Sequence, residues 1–336
     1  MNMSMSVLPP VAFLFAGQGA QYPGMGAGLA EASPAAAAVF AAADAVCPGT
    51  RERCLTADAD ELARTQVTQP TVLATDLACA RMLEEAGLRP AAVAGFSLGE
   101  LGALAFAGVF DDRTALSLIV RRARLMDEAA QATQGGMRAV LGKSAAELTA
   151  LLEESGLKHL ELVNFNAPTQ IVVSGPCGEL AALGDFLTSR GVRSVSLAVS
   201  GAFHSSLMAP ATDGFARALA PVRFAAARVP VYGNVTGEPY PLQAGKAGGQ
   251  SRFDDARAKA LLARQISRPV QWVRTLEALR ESGVTHFVEV GPGAVLTGLV
   301  RKTLPGVWCR PVGSAQQARA VVAELEHQNK REEQLV

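Results

Sequence analysis

The sequence predicts an α/β fold in which a mostly parallel sheet forms a large body and a small ferredoxin-like domain is inserted into it. Short apolar runs alternate with stretches of helical periodicity along most of the 336 residues, the pattern of strands joined by crossover helices. Glycine and proline mark the junctions. One middle segment departs from this pattern and reads strand, helix, strand, strand, helix, strand. With 49% hydrophobic and 18% charged side chains, the chain has the material for a sizeable core.

In chain order, "VAFLFA" reads as the first buried strand. The residues before it lack the basic n-region of a signal peptide, and no run is long enough to span a bilayer, so a cytoplasmic protein is expected. "TVLATDLACARMLEEAG" reads as a helix whose C-terminal cap is Gly87. "AAVAGF" is the second core strand. The ferredoxin-like order follows in "GMRAVLG", "SAAELTALLEESG", "KHLELVNFN", "TQIVVSG", "GELAALGDFLTSRG" and "VRSVSLAV". This places a small domain at 132–200 and leaves 1–131 and 201–336 to the large one. "VPVYGNV" and "HFVEVG" return as core strands. "LQAGKAGGQSRFDD" reads as a surface loop and "EHQNKREEQLV" as a helix end or frayed tail. The cleft between the two bodies is the expected place for a ligand.

The 31 basic and 31 acidic residues cancel, which argues against a nucleic-acid surface or an acidic tail. Cys47, Cys54, Cys79, Cys177 and Cys309 form no CxxC pair and no cluster with histidine, so neither a metal site nor a disulfide framework is expected. Small-molecule chemistry remains.

Ser97 stands in "GFSLG", between the second strand and an Ala/Leu-rich helix. A strand, G-x-S-x-G and a helix make a nucleophile elbow, the turn of an α/β-hydrolase-like core. The turn is so sharp that the residues flanking the serine at two removes must be small, as Gly95 and Gly99 are. It also aims the serine at a helix N-terminus, where Glu100 suits the dipole. The competing reading is a plain N-cap serine in a glycine-rich turn. A nucleophilic serine needs a base. Of the four histidines, His159 and His327 read as solvated and His286 as structural at the start of a strand. His204, in "SGAFHSSLM", is the best base, against the alternative of a helix-start histidine with a satisfied hydrogen bond. The acids between Ser97 and His204 fall on predicted helix surfaces, so a dyad fits better than a triad.

"FAGQGAQ", "GFSLGE", "VRRARLMDEAA", "NFNAPTQIVVSG", "SGAFHSSLM", "RQISRPVQW" and "EVGPGAVLTGL" together resemble, in order, the malonyl-CoA:acyl carrier protein transacylase family, including the acyltransferase domains of fatty-acid and polyketide synthases. The resemblance implies Ser97 as the acyl-accepting nucleophile, His204 as its base, and Gln265 as the residue that orients His204, through its backbone carbonyl. It implies an oxyanion hole from the backbone N–H groups of Gln18 and Leu98, and Arg122 as the partner of the malonyl carboxylate. For Arg122 the helix agrees: Ala115, Ile119, Ala123 and Met126 form one apolar stripe, with Arg122 about 60° from Ile119 and Arg121 and Arg124 turned away. The bland alternative is an arginine snorkelling from the core edge.

The chain departs from the family at Phe96, where a histidine that helps hold the acyl carboxylate is usual, whereas Phe203 is the type found in malonyl-selective relatives. The expected reaction moves malonyl from malonyl-CoA, as substrate and without a cofactor, to the phosphopantetheine thiol of acyl carrier protein in fatty-acid biosynthesis. A monomer is expected, with Arg193, Arg264 and Arg268 available to an acidic carrier. The rivals are a trans-acting polyketide acyltransferase, a serine thioesterase or hydrolase, and a binding module with an inactive elbow.

Overall fold

A computed structural model describes residues 9–243 and 252–333. Its strands, in chain order, are β1 (Val11–Phe15), β2 (Ala92–Gly95), β3 (Gly135–Leu141), β4 (Glu161–Ala167), β5 (Gln170–Pro176), β6 (Ser194–Ser196), β7 (Val231–Tyr232), β8 (Leu242–Gln243), β9 (Arg252–Phe253), β10 (His286–Val290) and β11 (Trp308–Val312). Five of them form a parallel sheet in the order β11-β10-β1-β2-β7. Every residue of β1 is buried, which explains why the strand reads as a continuous apolar run with no alternation.

The position of β1 places the site. Its neighbour on one side is β2, the next strand in the chain, and on the other β10, from near the far end. The connections leave in opposite directions, so a crevice opens at the carboxyl ends of these strands. Phe15 pairs with Gly95 and Val290 there. The loops that follow, at Gly17, Phe96 and Gly291, therefore emerge side by side.

The second sheet is antiparallel, in the order β4-β5-β3-β6, the ferredoxin-like arrangement that the middle segment implies. It is stitched to the large body where Phe165 N–H donates to Val270 O at 3.0 Å and Val270 N–H to Val163 O at 2.8 Å. We propose 132–200 as the small domain and 1–131 with 201–336 as the large one. In support, β3 to β6 lie inside the first range and the parallel strands outside it.

Some boundaries differ from the sequence reading. β11 was not expected, and β7 keeps only two residues of "VPVYGNV". The helix read from Thr71 begins at Thr65 and carries Pro70 inside it; Gly87 follows its cap with φ of 90°. The surface loop is partly a hairpin, β8 with β9, and its residues 244–251 lie outside the described residues, as do 1–8 and 334–336. The final helix runs Ala315–Glu333. Among the described residues no helix is long and apolar enough to cross a membrane.

Candidate active site

The elbow forms because β2 must turn into the helix Gly99–Phe106 within three residues. A Cβ on Gly95 would lie 2.0 Å from the carbonyl of Gly99, and one on Gly99 would lie 2.4 Å from Phe15 O. Only hydrogen fits at either place. Ser97 itself takes φ of 53°, a left-handed conformation that costs a side-chain residue about 1–3 kcal/mol. Asn234, just after β7, holds the turn in place. Its Oδ1 accepts from Ser97 N–H at 2.7 Å and its Nδ2 donates to Gly95 O at 2.6 Å.

His204 arrives from the other end of the cleft, also at positive φ, 63°. Its backbone N–H donates to Ile266 O at 3.1 Å. Its Nδ1 lies 2.9 Å from Gln265 O, and its Nε2 lies 2.8 Å from Ser97 Oγ. A carbonyl only accepts, so Nδ1 carries the proton, Nε2 presents its lone pair, and the Ser97 hydroxyl donates to it. Burial, reinforced by the Arg122 cation, pushes the imidazole from its ordinary 6.5 down to about 4. The ring is thus a neutral acceptor over the whole physiological range. Among the described residues no carboxylate is hydrogen-bonded to it; the Gln265 carbonyl takes that place.

Arg122 is buried, while Arg121 and Arg124 are exposed. It sits on the helix Asp112–Thr133, whose N-terminus is capped by Asp111 accepting from Thr114 N–H at 2.7 Å. Its Nη1 donates to Gln69 Oε1 at 2.8 Å, and its Nη2 to Ser97 Oγ at 3.1 Å and Gln265 Oε1 at 2.9 Å. Burial lowers its pKa to about 10, against the pull of Glu100, so it remains a cation at neutral pH. The hydroxyl of Ser97 therefore lies between an imidazole lone pair placed to accept its proton and a buried cation.

The sequence reading placed Glu100 as a helix-dipole partner at the start of its helix. The structure instead buries it completely, bonded to Tyr240, Gln265 and Asn234. Gln69, Asn234 and Tyr240 were missed altogether. His286 is occupied by Thr285 and Gln328, and His159 is exposed beside Glu179. Among the described residues no group of three or more His, Cys, Asp or Glu is placed to hold a metal ion.

A cavity of about 380 Å³ opens over Ser97 between the two sheets. Gln18 and Leu98 line it, and neither backbone N–H has an acceptor among the described residues. Both are therefore available to a developing oxyanion. Phe96 lines the same cavity, packed edge-on against Trp272 at 5.2 Å, so an apolar ring stands on the wall next to Ser97. Phe203 lies on the wall beside His204.

Residues 12–334 match the family model described as acyl transferase domain. The chain belongs to this acyl transferase family. It is 34% identical over 325 residues to the malonyl CoA-acyl carrier protein transacylase of Bacillus subtilis, covering 95% of this chain and 98% of that one. It is 40% identical to polyketide biosynthesis protein ThaF of Burkholderia thailandensis over 93% of this chain, but spans only 26% of that longer protein. Among solved structures, a malonyl-transacylase in complex with its type II polyketide acyl-carrier protein superposes with a TM-score of 0.85 at 32% identity, covering 94% and 99% of the two chains.

Two outcomes follow for this acyl transferase. Gly95→Ala forces a Cβ into the Gly99 carbonyl and should cost more than about 3 kcal/mol, which thermal unfolding would show as a melting point lower by roughly 4 °C or more. The depressed His204 predicts that inactivation by a neutral fluorophosphonate keeps its rate within about twofold from pH 7.5 to pH 5. A base at the ordinary histidine value would already lose most of its activity by pH 5.5.

Proposed function

We propose that this acyl transferase moves a malonyl group from malonyl-CoA to the phosphopantetheine thiol of an acyl carrier protein through a malonyl ester on Ser97. The observation that carries the reading is Ser97 Oγ held between His204 Nε2 and the buried Arg122 guanidinium. A nucleophile and base perform acyl transfer; a fixed cation beside them suits an acyl group that ends in a carboxylate.

On this reading His204 accepts the Ser97 proton as Oγ attacks the thioester carbonyl. The oxyanion turns to the amides of Gln18 and Leu98, each worth roughly 3 kcal/mol in such a role. Collapse expels the coenzyme A thiolate, which His204 protonates. The carrier thiol then attacks the ester with His204 again as base, and Ser97 is restored. The Gln265 carbonyl holds the ring in the tautomer that both halves need. Arg122 anchors the carboxylate in the cleft while the ester waits for its thiol and not for water. The scheme runs on side chains and backbone amides, with coenzyme A carried as substrate and no cofactor. A cytoplasmic, monomeric protein is part of the same reading.

Support for a carrier protein as partner comes from the relatives, one of which was solved bound to its acyl-carrier protein. The 40% identity to a polyketide biosynthesis protein favours a second setting, in which the carrier belongs to a polyketide assembly line served in trans. The chemistry at Ser97 is the same in both.

Mixing the protein with malonyl-CoA and analysing it by mass spectrometry should show a malonyl adduct on the Ser97 peptide, absent in Ser97→Ala, which a second step with holo-carrier protein discharges. Rapid release of free malonate without carrier would instead identify a thioesterase. Arg122→Ala should lower kcat/KM for malonyl-CoA by about a hundredfold or more, the cost of removing a buried partner of a charge, while acetyl-CoA is affected far less. Phe96→His restores a donor beside the carboxylate and should lower the KM for malonyl-CoA by roughly tenfold; an unchanged KM would show that Arg122 alone holds the group.

A further inference from the structure

Glu100 is a fully buried carboxyl to which the scheme above gives no task. Three donors converge on it. The Tyr240 hydroxyl donates to Oε1, while Gln265 Nε2 at 3.0 Å and the Asn234 backbone N–H at 3.3 Å donate to Oε2. Such a set favours the ionised form. The same Gln265 amide turns its oxygen to Arg122 Nη2 at 2.9 Å. One amide thus stands between a buried anion and a buried cation, oriented by both. The direct acceptors of Arg122 are the neutral groups of Gln69, Ser97 and Gln265, and its electrostatic partner is Glu100.

We propose that Glu100 is the counter-charge which an acyl carboxylate displaces: docking of the carboxylate on Arg122 is coupled to uptake of one proton by Glu100. The inference rests on the malonyl-transfer reading. A carboxylate arriving at Arg122 places a second anion near one buried cation in a space that water does not screen. The neutral acid at position 100 then becomes the state of lower energy. Its Tyr240 partner can reverse, accepting where it had donated, so the protonated form keeps a hydrogen bond.

Burial already raises Glu100 to about 7, against the lowering effects of Tyr240, Gln265, Asn234 and Arg122. The charged and titratable groups that face it are Arg122, from the helix Asp112–Thr133, and Tyr240, from the segment after β7. Gln265 and Asn234 are neutral, and β1 and β2 bring only apolar residues. His204, across Ser97, is a rival acceptor for the proton. A second buried anion several ångströms away adds about one to two pK units at an effective dielectric near 20.

Acylation itself moves no net proton. The Ser97 O–H bond breaks, Oγ bonds the acyl carbon, the carbon–sulfur bond breaks, and His204 passes the hydroxyl proton to the departing thiolate. Any pH dependence of the acylation constant beyond ionisation of the released thiol therefore counts protons taken up by the protein. The sign is definite. The constant is largest below the free value of Glu100 and falls as pH rises toward the value in the acyl-enzyme.

The test is to equilibrate the full chain with fixed ratios of malonyl-CoA to coenzyme A from pH 6 to pH 8 and read the acylated fraction by intact-protein mass spectrometry. The wild-type constant should fall roughly five- to tenfold over this range. Glu100→Gln keeps the shape without the titrating proton and should change less than twofold. Tyr240→Phe removes a donor to the ionised form and should move the fall to higher pH, which keeps the proposal testable if Glu100→Gln does not fold. A constant as pH-dependent in Glu100→Gln as in the wild type would place the proton on His204 and overturn the proposal, as would a flat wild-type curve. Failure of the wild type to form any malonyl-enzyme would instead overturn the underlying malonyl-transfer reading.

Discussion

His204, Arg122, Ser97 and Glu100 all meet at Gln265. Its backbone oxygen takes the Nδ1 proton of His204, its side-chain oxygen takes an Arg122 proton, and its side-chain nitrogen donates to Ser97 O at 2.5 Å and to Glu100. An amide has a distinct end for donors and another for acceptors. Were this one flipped, its NH₂ would face a guanidinium and its oxygen would face a carboxylate and a carbonyl, so the environment admits one orientation. The fixed amide then fixes the ring, the cation and the elbow relative to one another. A carboxylate behind the histidine, as in a triad, would do one of these jobs, whereas Gln265 does several without adding charge.

Strain is the counterpart of that convergence. Ser97 and His204 both occupy the left-handed region, where a side chain is disfavoured by about 1–3 kcal/mol. Each is held by a partner distant in sequence: Ser97 by the Asn234 side chain, His204 by the Ile266 carbonyl. The two strained residues come from segments 107 positions apart in the chain, and the bond between Oγ and Nε2 closes the gap. The fold around β1 is what makes this tolerable, since the buried parallel strands give the elbow a rigid base.

The α/β class, the antiparallel inserted segment and the elbow at Ser97 were legible from local pattern, apolar runs and G-x-S-x-G; His204 came by elimination among four histidines, and Arg122 from the family resemblance with which its helical stripe agrees. What escaped depends on contacts across the fold. Gln69 was hidden because the helix was read from Thr71, which left it outside the helix that carries it. Asn234 was read inside the strand "VPVYGNV", of which only Val231 and Tyr232 form β7, so its turn position facing the elbow stayed hidden. Glu100 illustrates the limit well, since its place at a helix start was right and its burial was invisible. A glutamate in a first turn is ordinarily solvated, and only Tyr240, 140 residues away in sequence, together with Gln265, makes it otherwise.

The electrostatics of the pocket argue for a carboxylate-bearing acyl group more strongly than its shape does. A buried guanidinium that donates to three neutral acceptors has hydrogen bonds but no direct charge balance, because Glu100 reaches it only through an intervening amide. A neutral acyl chain leaves that imbalance untouched and takes space from the groups that relieve it. A carboxylate removes it and pairs with the guanidinium at both oxygens. With Phe96 packed on Trp272 where a second donor would otherwise stand, the discrimination falls on a single side chain. The buried acid one amide away then governs how strongly that side chain attracts its anion.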